Sequence, residues 1–188
     1  ESFGGILMVG TPLQKRSGIK DNPDLALSDW LSTADFSEHD TLPRKWAEVY
    51  VNTSEEMIYN WLTERSVRFM PVVNWPERGL FKPGNSLPRW HIVWGTGYKL
   101  MNSVIGHLNS HPNRKNLNIY YDHCVDGFTM ADGKVTGCKG KTEGTREPFE
   151  AEAGAVIAAS GGICGGDLSM VRKNWYKPWG DPPATLLN

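Results

Sequence analysis

The sequence is short of three things: cysteine, long apolar runs and an excess of either charge. Its three cysteines, Cys124, Cys138 and Cys164, form no Cys-x-x-Cys pair and no His/Cys cluster with zinc spacing, so no metal site is expected. The odd count argues against a disulfide framework, and a reducing, cytoplasmic location is expected. No run approaches the roughly twenty apolar residues of a membrane span, so no membrane span is expected. Net charge is −1 and there is no basic stripe, which argues against nucleic acid and anionic membrane as partners. No signal peptide is visible in a chain that starts at Glu1. Two catalytic signatures are missing as well. Ser160 does not sit in a Gly-x-Ser-x-Gly elbow, which argues against that type of hydrolase. The acidic residues of the predicted helices show no paired-carboxylate spacing, so no acid/base role is assigned to them.

What is present is globular: 188 residues, 39% hydrophobic and 22% charged, enough for one domain or a domain carrying an insertion. Eight tryptophans supply core or interface anchors or, in part, the lining of an aromatic pocket. A glycine pair and an apolar run at residues 2–9 read as a short strand or buried loop, and 11–22 as a polar connector. Residues 24–34 have helical character, with Asn22 or Asp21 as cap, Pro23 at the first helical position and Leu25, Leu27, Trp30 and Leu31 as the apolar face. A second helix is predicted over 43–65 with Thr41 as cap and a stripe of Trp46, Val49, Tyr50, Met57 and Trp61. Residues 67–73 suit a strand that Pro71 confines to an edge, and 74–89 form a Pro- and Gly-rich loop. A third helix runs from about Gly97 to Ser110, started by Gly95 or Thr96, with Leu100, Met101, Val104, Ile105 and Leu108 inward. The period then changes. Residues 117–121 and 124–130 read as strands, Asp132-Gly133 as a hairpin turn, 135–141 and 147–153 as the next two strands of a meander.

The stretch Ala155-Val-Ile-Ala-Ala-Ser160 is apolar without alternation and stops at Gly161 and Gly162. That pattern predicts a strand buried on both faces, as in a parallel sheet, ending in a sharp turn where a ligand can approach the main chain. In open α/β sheets ligands lie beyond such strand ends.

Four stretches in this order resemble the fumarate reductase/succinate dehydrogenase flavoprotein family, including the ketosteroid-dehydrogenase-like FAD-binding dehydrogenases. Ser2-Phe3-Gly4-Gly5 is similar to the loop that packs against the flavin. His91-Ile-Val-Trp-Gly-Thr-Gly97 resembles the return from an inserted cap domain. Asn118-Ile-Tyr-Tyr-Asp-His-Cys-Val125 with its meander resembles the strand whose end contacts the adenosine side, and 155–162 the apolar strand ending in Gly-Gly. The resemblance covers essentially the whole chain. It implies an α/β (α+β) fold: a partial two-dinucleotide-fold FAD-binding domain with a β-meander over residues 1–11 and 91–188, interrupted by a mostly helical cap and substrate segment at 12–90. It also implies FAD as cofactor, a small-molecule substrate with an activated C–C bond (a dicarboxylate or a ketosteroid-like enone), and cofactor contacts from Ser2, Gly4, Gly5, Val125, Ala159, Ser160 and Gly161.

The family's Gly-x-Gly-x-x-Gly fingerprint, on which the pyrophosphate rests, is absent from these residues. The family's catalytic side chains follow the Gly-Gly strand in a region this sequence does not include. The chain therefore reads as an internal fragment of a larger enzyme, with weak FAD binding of its own and no catalytic residue assigned. Arg89 and His91, beside Trp90 and Trp94, are substrate-side candidates, because Arg and His together can bind a carboxylate or carbonyl. A structural role for His91 stands as the other reading. The rival function is a non-catalytic binding or interaction domain that keeps part of a flavoprotein fold, with the aromatic segment 73–94 as its surface.

Overall fold

The computed structural model describes residues 3–74, 76, 78, 82–161 and 168–185. The fold is mixed α/β and divides into two compact units, Glu1–Leu117 and Asn118–Asn188.

The first unit is built around two short strands far apart in sequence. β1 (Gly5–Leu7) pairs antiparallel with β2 (Trp90–Ile92), Ile6 opposite His91. The ladder continues beyond both ends through Val93 N–H to Gly4 O (2.9 Å) and Met8 N–H to Arg89 O (3.0 Å). The other edge of β2 takes the segment predicted as a strand at 67–73. It bonds through Met70 N–H to Ile92 O (2.8 Å) and Asn74 N–H to Trp90 O (2.9 Å). Only isolated bridges form there, Phe69 to Val93 and Asn74 to Trp90, because Pro71 between them has no N–H to give.

β1 and the residues after it are buried on both faces. Ile6 and Met8 point to a cluster with Leu13, Tyr59 and Val73, while Leu7 and Val9 point to one with Ala26 and Val51. This is the alternation of extended chain, and it makes 5–9 the axis of the unit. A third cluster gathers Leu62, Val67 and Val93.

Helices surround this axis. α1 (Pro12–Arg16) lies within the stretch read as a connector. Its signal was present: Thr11-Pro-Leu-Gln14 is a capping box with Pro at the first helical position, and both reciprocal bonds form. α2 (Pro23–Ala34) begins as predicted, with Asn22 Oδ1 accepting from Leu25 N–H at 3.0 Å. The second predicted helix is one helical run in three pieces: α3 (Thr41–Thr53), a π-helical turn (Ser54–Asn60) and α4 (Trp61–Glu64). Its inward face differs from the predicted stripe. Trp46 is 70% exposed, and Val49 and Met57 are also outside. Ala47, Val51 and Ser54 face in instead. Small side chains bring the backbone close enough for Ser54 Oγ to accept from Val9 N–H (3.0 Å), and Tyr50 donates its hydroxyl to Leu7 O (2.6 Å). The wider π turn then shifts the helical phase, so that Tyr59 and Leu62 reach the core. α5 (Thr96–Ser110) follows the left-handed Gly95. Only Leu100 and Val104 of its predicted stripe pack, against the third cluster. Met101, Ile105 and Leu108 are exposed, since that cluster reaches one side of the helix only.

The second unit carries the predicted meander. β3 (His123–Ala131), β4 (Lys134–Thr142) and β5 (Pro148–Glu152) form an antiparallel sheet in that order. Asp132 and Gly133 take φ of 49° and 73°, the conformation their turn demands. α6 (Leu168–Lys173) follows. Two predicted strands do not form. Residues 117–121 lie outside any ladder. Residues 155–160 are unpaired, with Ile157 91% exposed. A parallel strand is made by flanking strands as much as by its own apolar content, and among the described residues none pairs with this one. The observed ladders are all antiparallel.

The closest packing on the axis is at Gly5, where an added Cβ would press into the Trp90 indole. Gly5→Ala is expected to destabilise the protein by about 1–3 kcal/mol, the cost of overpacking. Denaturant unfolding checks this, and an unchanged midpoint would contradict the packing described.

Candidate functional site

Arg89 leads into β2 and is 2% exposed. A buried guanidinium requires carboxylates, and two elements supply them. Asp21, in the turn between α1 and α2, takes Arg89 Nε and Nη2 in a bidentate pair at 2.9 and 2.8 Å. Asp29, on α2, takes Nη1 at 2.6 Å, and Asn85 Oδ1 accepts from the same nitrogen at 3.0 Å. Gln14 ties the network to α1, donating to Asp21 Oδ2 and to Pro88 O, both at 2.9 Å. Burial alone would lower the Arg89 pKa; hydrogen bonds and charge from both aspartates outweigh it and raise it. Burial would likewise raise Asp29, but the backbone N–H of Ser86, the Arg89 fork and the Ser86 hydroxyl together hold its carboxyl below the usual range.

His91 is fully buried. Nδ1 lies 2.7 Å from Arg89 O and Nε2 lies 2.8 Å from Thr11 Oγ1. A carbonyl only accepts, so Nδ1 carries the proton and Nε2 accepts from the Thr11 hydroxyl. Burial holds this imidazole below its ordinary pKa, and the ring sits edge-on to Tyr59 and Phe69. Of the two substrate-side candidates, Arg89 is thus enclosed by carboxylates and His91 by its own strand and α1.

A cavity of about 340 Å³ opens beside this network. Leu7, Ala26, Trp30 and Val51 give it apolar walls, Asp29 and Arg89 a polar floor, and the exposed Arg78 a further cation. Asp21, Asp29, Gln14, Asn85 and Arg78 were not singled out from sequence as site residues. The signal for the aspartates was indirect: an arginine between apolar neighbours must find acids elsewhere in the chain.

The cofactor candidates fall in both units. Gly4 has φ of +76°, and an added Cβ would stand 2.6 Å from Gly97 N and 2.7 Å from Thr96 C. Gly4 and Gly5 are therefore pressed against the chain's own 90–97 segment. In the second unit Val125 pairs with Gly140 next to a bulge and is 53% exposed. Ala159, Ser160 and Gly161 are exposed. Gly161 has φ of +81° with open space where a Cβ would be, so its main chain is approachable in the way a bound cofactor needs. Ser2, Gly162 and Cys164 lie outside the described residues.

A family model described as an FAD binding domain matches residues 1–186. The chain belongs to this family. FAD is accordingly its cofactor, and the open space about the Gly161 main chain leaves room for such a group. A KsdD-like steroid dehydrogenase of Mycobacterium tuberculosis (strain ATCC 25618 / H37Rv) is 40% identical over 204 residues, covering 100% of this chain and 35% of its own. Another KsdD-like steroid dehydrogenase, of Mycolicibacterium smegmatis, is 39% identical, covering 100% and 37%. The chain thus spans about a third of the length of the curated relatives it matches. No described helix is long and apolar enough to cross a membrane, and no group of three or more metal-ligating side chains occurs among the described residues.

Acid should loosen the network in two stages. His91 is held below its ordinary 6.5, so the unfolded chain takes up its proton first and stability falls as pH drops through the ordinary imidazole range. Asp29 is lowered too, so a second loss follows as pH falls through the carboxylate range. In denaturant titrations across pH, His91→Asn is expected to remove the upper stage, whose persistence would contradict the assignment. Arg89→Met, which leaves two buried carboxylates unpaired, is expected to cost about 3–5 kcal/mol at neutral pH.

Proposed function

We propose that the protein carrying this chain is an FAD-dependent dehydrogenase or reductase acting on an activated C–C bond of a small molecule, with a steroid enone or its saturated precursor as first substrate class. The observation that carries the reading is the FAD binding domain match over residues 1–186, joined to 40% identity with a steroid dehydrogenase along the whole chain.

In this reading residues 1–11 and 91–188 belong to the FAD-binding domain, and 12–90 form the inserted cap. The β1–β2 pairing supports the division, since it sets residues 5–7 beside 90–92, so that an insertion leaves and returns at one place. FAD, when bound, supplies the hydride acceptor. Ser2, Gly4, Gly5, Val125, Ala159, Ser160 and Gly161 are proposed to hold it, mainly through main chain. Arg89 forms the polar floor of the cap cavity rather than a free substrate ligand. His91 keeps β2 and α1 together. The apolar walls at Leu7, Trp30 and Val51 suit an apolar ring system better than a dicarboxylate.

Anaerobic mixing of the flavin-loaded protein with a saturated 3-ketosteroid and, separately, with succinate tests this. Bleaching of the flavin absorbance by the steroid is expected. Bleaching by succinate alone would move the substrate class to dicarboxylates, and no bleaching by any hydride donor would overturn the dehydrogenase reading.

A further inference from the structure

A second pocket of the first unit, about 470 Å³, is formed by α1, the π turn, α4 and the 67–71 segment. Its base is aromatic: Tyr59 and Phe69 lie nearly parallel, 16° between ring planes and 5.4 Å between centroids. Leu13, Val67 and Pro71 add apolar surface. Two exposed guanidinium groups stand on this base, Arg16 and Arg68.

These two arginines differ from most others in the chain. Arg44, Arg65, Arg89, Arg114 and Arg172 are all held by carbonyl or carboxylate oxygens. Arg16 and Arg68 have no side-chain acceptor among the described residues, and no carboxylate lines the pocket. Tyr59 is only 9% exposed and lines the pocket. A nearly buried tyrosine ring and two guanidinium groups without a side-chain acceptor among the described residues therefore border one cavity. Charge-assisted bonds from arginine to an oxyanion are strong and geometrically selective, and an apolar base adds contact area for the body that carries the anion. The volume lies in the range of small-molecule sites.

We propose that this pocket binds an oxyanion on a flat apolar body, an aromatic carboxylate or phosphate ester. Arg16 and Arg68 take the anion, the Tyr59 hydroxyl donates to it, and the body lies against Tyr59 and Phe69. The proposal does not depend on the dehydrogenase reading, because its readout is binding and not turnover.

The test is calorimetry on the flavin-loaded protein with 2-naphthoate, 2-naphthyl phosphate and uncharged methyl 2-naphthoate. Naphthoate or naphthyl phosphate is expected to bind, the ester about tenfold more weakly. The tighter of the two anions identifies the source chemistry. The double substitution Arg16→Gln and Arg68→Gln is expected to weaken binding by about tenfold or more. Both side chains are exposed and unpaired, so the melting temperature should hold. Lys15→Gln, which removes a nearby charge that does not line the pocket, should leave affinity unchanged. No heat with any of the three compounds would overturn the proposal. Equal binding of the ester, affinity that survives the double substitution, or an equal loss with Lys15→Gln would do the same.

Discussion

The first unit depends on one buried charge. Arg89 immediately precedes β2, yet its guanidinium reaches Asp21 and Asp29, which stand before and on α2. Taking an arginine out of water is expensive unless its donors are met, and removing one partner leaves an uncompensated charge. The ion network therefore sets where α2 can lie relative to β2. Gln14 and Thr11 extend the same demand to α1, through Asp21 and through His91. Burial, hydrogen bonding and charge act here as a single constraint, and the cavity lined by Trp30 and Val51 is the space left beside it.

That constraint explains why short strands suffice. β1 and β2 have three residues each, too few for a stable pair alone. They are held because residues 5–9 are buried on alternating sides and because β2 carries the charged network at one end. The π turn at 54–60 belongs to the same arrangement. It lets Ser54 serve the main chain of Val9 while Tyr59, a few residues on, turns to the other cluster.

Much of this was legible from residues, and the failures have a common cause. Caps, turns and the meander are local: Asn22-Pro23 started α2, and Asp132-Gly133 closed the first hairpin, because their chemistry needs no distant partner. The capping box at Thr11-Pro-Leu-Gln14, inside the stretch expected to be a connector, is equally local. Facing directions were harder. The apolar stripe containing Trp46, Val49 and Met57 was real, but Ala47, Val51 and Ser54 won the inward side because close approach to β1 favours small groups. Strand identity at 155–160 was hardest, since an apolar run needs flanking strands both to form a ladder and to be buried, and here Ile157 is 91% exposed. Among site residues, Arg89 and His91 were read as substrate-side candidates, and in the fold both are enclosed by the chain's own groups. Their partners Asp21, Asp29 and Thr11 lie roughly sixty to eighty positions away in sequence, a separation that periodicity does not bridge.

We propose that FAD is held in part through main-chain contacts that this chain supplies. A crystal structure of the flavin-loaded protein tests it directly. FAD is expected within contact distance of the main chain at one or more of Gly4–Gly5, Val125 and Ser160–Gly161. A flavin bound with none of these residues within contact distance would contradict it.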